Sequence, residues 1–172
     1  MLQKGRRAPG YLGVTLLDQA AGHARRQGFD AALRAAGLVP LPQRMCIAEF
    51  NMDSGDHQAE QLFQKAGRLD CLFCATDSIA LGALKYCRTH SIRVPEDVMI
   101  ASVGDSKAGR VAFVPLTSVH LHYHTAGQTA AGLLLQLLAD PDAAPQERIL
   151  GYELKRRTST GDENSAEDIW AK

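Results

Sequence analysis

Three imidazoles spaced two apart, in the run HLHYH at His120 to His124, and two thiols spaced three apart, in CLFC at Cys71 to Cys74, are the side chains of this 172-residue chain whose types suit metal or proton chemistry. On an extended strand His120, His122 and His124 would share one face, but same-face neighbours stand about 7 Å apart, twice the strand rise. Three of them cannot reach one zinc ion at about 2 Å without a bend in the chain. The favoured reading is a half-exposed strand face, and the second is a pH-sensitive hinge, because imidazole titrates near neutrality. In CLFC the two sulfurs point to opposite faces of a strand, and no glycine or proline supplies the knuckle that would join them on one ion. Cys46, Cys71, Cys74 and Cys87 are expected to be reduced and packed as small hydrophobes. No metal and no cofactor is expected.

Covalent catalysis has little to work with. There is no G-x-S-x-G elbow, and the serines of TDSIA and GDSKAG have no histidine near them in sequence. The expectation is therefore a binding protein and not an enzyme.

These residues need a frame to position them. GYLGVT at 10 to 15, RMCIAEF at 44 to 50, CLFCAT at 71 to 76 and the end of VPEDVMIASVG read as short apolar strands. Between them lie helical segments: one ending near Gly37, one with Ala59, Leu62, Phe63 and Ala66 at i, i+3, i+4 and i+7, and DSIALGALKYCRTH, capped by Asp77 or Ser78. This alternation predicts an α/β fold, a doubly wound parallel sheet flanked by helices on both faces. After Gly104 come the segment carrying the histidines, a helix in TAGQTAAGLLLQLLAD and an edge strand in ERILGYELKRRTST. Residues 1–160 are expected to form one body, and 161–172, acidic and polar around Trp170, a disordered tail.

Ligands of such sheets bind beyond the carboxyl ends of the strands, which selects the loops 15–25, 50–56, 76–78 and 104–107. The first contains neither a G-x-G-x-x-G nor a G-x-x-x-x-G-K-[ST] pattern, so a dinucleotide or Walker-type phosphate cradle is not expected. Nineteen basic and nineteen acidic residues cancel, so no global field draws the chain to nucleic acid or anionic lipid. The first fourteen residues carry no apolar run of signal-peptide length, and no stretch matches a bilayer span; the expected location is cytoplasmic, with no membrane partner.

The segments GYLGV, GHARRQGFDAALRAAGL, CATDSIALGALKYCRTHSIRVPEDVMIASVGD and PLTSVHLHYHTAGQTAAGLLLQLL occur in an order and spacing that resemble the effector-binding part of LacI/GalR-type transcriptional repressors, over roughly residues 5 to 160. Within that family YLGV, CATDSIALGALKY and ASVG look most like trehalose-responsive members, with sucrose-type members next. The resemblance implies one lobe of a periplasmic-binding-protein-like (type I) fold, the C-terminal lobe. The helix-turn-helix and most of the first lobe are not in the sequence, and residues 121–145 are the segment that relatives return to that first lobe. It also implies that PLTSVHLHYH is a crossover between lobes. The implied partners are a small sugar or sugar phosphate, a second copy in a homodimer, and operator DNA only through a helix-turn-helix outside this sequence. Arg25, in the R..GF position, then matches a family effector contact. Thr76 and Asp77 match an effector-touching pair, and Asp105, beside Gly104, falls where relatives carry two aspartates. Asp18 lies in the loop after the first strand. The plainer readings are an exposed helix arginine for Arg25 and helix caps for Asp77 and Asp18.

Overall fold

The protein is described by a computed structural model covering residues 1–140, 142 and 144–163. Strands β1 (Pro9–Gly13), β2 (Met45–Ile47), β3 (Cys71–Cys74), β4 (Met99–Val103), β5 (Thr117–Leu121) and β6 (Tyr152–Lys155) form one sheet in the order β2-β1-β3-β4-β5-β6. The first five run parallel, while β6 pairs antiparallel with β5, setting Glu153 opposite His120. The expected parallel sheet thus carries one antiparallel edge strand. The order reverses between β1 and β3, the switch point at which doubly wound sheets open a crevice.

One face is closed. Leu12, Cys46, Leu72, Cys74 and Ile100 meet Ala59 and Leu62 of helix α2 (Met52–Lys65) and Ile79, Ala83 and Leu84 of helix α3 (Asp77–Thr89) in a core shielded from water. The two helices touch backbone to backbone: a Cβ on Gly55 would stand 2.5 Å from the Ile79 carbonyl oxygen, and one on Gly82 would collide with that of Met52. Only glycine permits this approach.

The other face is half open. Helix α1 (Arg25–Ala35) lies over β1 and β3, with the Phe29 ring 5.0 Å from Tyr11 and 6.1 Å from Phe73. Farther along, Val103, Val119, Leu121 and Tyr152 line a groove of about 880 Å³ together with Phe29 and Leu33 of α1. The expected helices on both faces are present, α2 and α3 on one and α1 on the other, with the groove lying beside α1.

Local boundaries differ from expectation in three places. The cap of α3 is Thr76, whose hydroxyl accepts from the Ile79 N–H at 3.3 Å, so Asp77 is already helical. Strand β5 stops at Leu121 and His122 is the N-cap of helix α5 (Tyr123–Ala139), which leaves His120 alone on the strand. Gly161 closes a short turn in the left-handed conformation, and Asp162 pairs with Lys4 at 2.8 Å, so the packed chain continues past residue 160. The expected acidic tail from 164, Trp170 included, lies outside the described residues. Helix α5 buries none of its residues: Leu134, Leu135, Leu137 and Leu138 face solvent.

Candidate functional site

The crevice at the switch point is bounded by the turn after β1 and the turn after β3. From the start of α1, Arg25 donates through Nη1 to the carbonyl of Ala75, so its guanidinium crosses the gap and lies beside Thr76. Its neighbour Arg26 turns the other way, pairing with Asp30 at 3.0 Å and stacking over Tyr11. One arginine of the pair faces the crevice, and it is Arg25.

Asp18 stands on the β1 side of the same mouth. Its carboxylate accepts from the Ala21 N–H at 2.6 Å and the Gly22 N–H at 3.4 Å, capping a π-helical turn, Gln19–Ala24, that leads into α1. These bonds, the one from Ala21 above all, hold its pKa below the ordinary carboxylate value, and the nearby Arg25 acts in the same direction. Arg25 thus reaches the turn after β3 and lies near enough to Asp18 to lower its pKa, while Asp18 and Thr76 each serve as helix caps at this end of the sheet.

Asp77 and Asp105 do not join them. Asp77 is buried, accepting from the hydroxyls of Ser102 at 2.5 Å and Ser118 at 2.6 Å and from the Ser106 N–H at 2.5 Å. Asp105 follows Gly104 in a turn where both residues have positive φ, 137° and 51°, and the turn drives its side chain inward. There its carboxylate meets Arg157 at 2.6 Å, Arg110 at 2.7 Å and Nδ1 of His120 at 3.0 Å, with 1% of the side chain exposed. Burial by itself would raise the Asp105 pKa, but the hydrogen bonds from Arg157 and Arg110 outweigh it and hold the pKa below its ordinary value. Both carboxylates are buried and bonded to groups of the protein itself, which turns them away from a ligand hydroxyl in the crevice. The expectation that Asp77 and Asp105 face a ligand is corrected accordingly.

Sequence reasoning passed over two features. Phe50, on the loop after β2, is 52% exposed, and Leu16 and Leu17, after β1, also face solvent. With Val14, Thr15 and Ser54, Phe50 lines a recess of about 390 Å³ on the β2 side. The signal was an aromatic residue placed directly after the strand run, at a carboxyl end. Arg157, one of the most deeply buried side chains, carried no local signal, because its partner is 52 residues away.

The cysteines are free and buried, with Cys74 in the core and Cys71 on the opposite, grooved face. Burial pushes the Cys71 and Cys87 thiols up to about 12, leaving them protonated at neutral pH. Among the described residues no group of three or more His, Cys, Asp or Glu side chains is arranged to hold a metal ion. No helix among them is long and apolar enough to cross a membrane.

The same fold recurs in known proteins. A profile of the family described as "Periplasmic binding protein-like domain" matches residues 1–160. The chain belongs to that family, and it is similar to the effector-binding part of LacI/GalR-type regulators. The transcriptional regulator CelR of Thermobifida fusca is 33% identical over 142 residues, covering 83% of this chain and 42% of CelR. The repressor CytR of Escherichia coli K12 is 30% identical over 138 residues, covering 80% of this chain and 40% of CytR. Among solved structures, a CelR–cellobiose complex superposes with a TM-score of 0.87 at 31% identity, over 92% of this chain and 48% of that one. The chain therefore spans less than half the length of the curated relatives it matches. Those relatives are transcriptional regulators and not enzymes.

Proposed function

We propose that this chain is the effector-sensing lobe of a sugar-responsive transcriptional regulator, with Arg25, Thr76 and Asp18 supplying its half of the sugar contacts. The observation that carries the reading is the reach of Arg25 across the β1/β3 switch point to the Ala75 carbonyl. A guanidinium fixed there by one bond keeps further N–H donors for hydroxyls, and a planar fork suits that task. Phe50 adds an exposed ring on the β2 side of the same end of the sheet, a surface suited to the apolar face of a pyranose.

The effector we favour is a glucose disaccharide. The sequence resemblance points to trehalose or trehalose phosphate, with sucrose next, and the name of the CelR complex points to cellobiose for that relative. Calorimetric titration of the chain, and of the chain extended to the length of its relatives, with trehalose, trehalose 6-phosphate, sucrose and cellobiose separates them. Saturable heat with one sugar, weakened at least tenfold by Arg25→Ala at unchanged melting temperature, is the expected result. Binding that ignores Arg25→Ala would overturn the site. Operator recognition belongs to a helix-turn-helix outside this sequence, so the chain alone is expected to leave operator DNA unshifted in a gel. Regulation of this kind places it in the cytoplasm.

The regulator is expected to work as a homodimer. The apolar faces of α2 and α3 pack on each other and on the sheet, so we look for the dimer contact on another exposed apolar surface. The exposed apolar pair is instead Val111 and Phe113, with Arg88 of α3 stacked 4.9 Å over the Phe113 ring. Phe113→Glu is expected to shift a sedimenting dimer to monomer; a wild-type chain that is monomeric at all concentrations would remove this part of the reading.

A further inference from the structure

Helix α5 forms an arm. No residue of α5 is buried, and the chain leaves the lobe along β5 and returns to it along β6. A cluster of charges sits at the base of this arm. The Asp105 carboxylate receives His120 of β5 at 3.0 Å and Arg157, just past β6, at 2.6 Å, so one buried group grips the outgoing and returning strands together. Arg157 is further held by donating to the Leu116 carbonyl at 2.7 Å.

The cluster also connects to the crevice. The Asp105 N–H donates to the Ser118 hydroxyl at 2.9 Å, and that hydroxyl donates to Asp77 at 2.6 Å. Asp77 directly follows Thr76, the cap of α3. At the other end, the His120 ring meets His122 edge-on at 5.0 Å, and His122 is the residue from which α5 starts. A continuous set of short contacts therefore runs from the crevice turn 75–77 to the root of the arm.

We propose that Asp105, His120 and Arg157 form a latch that couples the orientation of the α5 arm to the turn 75–77 by way of Ser118 and Asp77. His120 is its opening member. Its side chain is 30% exposed, whereas those of Asp105 and Arg157 are 1% and 2% exposed. Breaking the His120 contact strands no buried charge, because Arg110 and Arg157 stay on the carboxylate. Breaking the Arg157 contact would strand one. The latch thus has a fixed side and a side that opens, as a two-state device requires. Asp105 and His120 are positioning residues: neither touches the crevice directly. The proposal draws on the sugar-sensing reading only for what the latch transmits.

Hydrogen exchange read by mass spectrometry on the full chain, without sugar, tests it. His120→Ala is expected to speed exchange at least fivefold in peptides from 119–126 and 152–157, with a smaller increase at 75–79 and none in β1, β2 or α2. His120→Asn, whose amide nitrogen can stand in for Nδ1, is expected to restore most of the protection. Exchange in His120→Ala that matches wild type at 119–126, or that rises equally everywhere, overturns the latch, as does a His120→Asn variant that exchanges as fast as His120→Ala. Because no sugar is present, failure here leaves the sensing reading standing, and absence of sugar binding leaves the latch standing.

Discussion

Two regions at the carboxyl ends of the strands carry acidic and basic side chains, and they use them in opposite ways. Around the β1/β3 crevice, Asp18, Arg25 and Thr76 are half-buried and bonded to main-chain groups. Around the β4–β5 turn, Asp77 and Asp105 are buried and bonded largely to side chains from distant parts of the chain. Local bonds to backbone fix a side chain while leaving some of its hydrogen-bonding capacity outward. A closed buried network leaves none, and it makes stability depend on every member. Changes at the crevice should therefore act mainly on ligand affinity, and changes at the β4–β5 turn mainly on folding.

The sharpest break of that contrast is Asp105→Asn. It leaves Arg157 buried without its counter-charge, and loss of about 3–5 kcal/mol in urea unfolding is expected. Asp77→Asn keeps the shape but replaces one acceptor oxygen with an NH2 donor, so either the two serine hydroxyls or the Ser106 N–H lose their acceptor; a loss of about 1–3 kcal/mol is expected by the same measurement. The cap substitution Thr76→Ala should cost about 1 kcal/mol, and Asp18→Ala should lower the urea midpoint by less than Asp77→Asn does. Arg25→Ala should move stability by about 0.5 kcal/mol or less, in line with its partial exposure. An Arg25→Ala variant that unfolds as readily as Asp105→Asn would erase the distinction between the two regions.

Acid titration gives a finer comparison. The folded pKa of Asp105 lies below its ordinary value of 3.8, so its contribution is fully present above that value. It is lost as pH falls from there through the lowered folded pKa. Melting temperature followed downward from pH 5 should therefore drop more steeply for wild type than for Asp105→Asn, whose amide does not titrate. Equal slopes would show that Asp105 does not bind its proton more weakly in the folded state.

Much of the frame was legible because it rests on local pattern. The apolar run CLFC became β3 with its two sulfurs on opposite faces, and the Ala59, Leu62 and Ala66 spacing gave the buried stripe of α2. Arg25 was marked out only by the R..GF position of the resemblance, and the structure sends its neighbour Arg26 the other way, to Asp30 and Tyr11. The two carboxylates were not separable from ligand contacts. Asp77 finds its serines 25 and 41 residues away, and Asp105 finds its arginine 52 residues away, at separations where sequence spacing says nothing about geometry. The histidine run was misread as continuous strand for a related reason: β4 stops pairing with β5 at Val119 and β6 at Leu121, which the residues of β5 do not announce.

The sequence by itself determined the alternation of strands and helices, the buried faces and the loops that meet at the crevice, because periodicity and capping act within a few residues. Only the tertiary structure decided which charged residues face the crevice and which close on one another inside. That choice depends on strand order and on the positive-φ turn at Gly104 and Asp105, which bring groups far apart in the chain within hydrogen-bond distance.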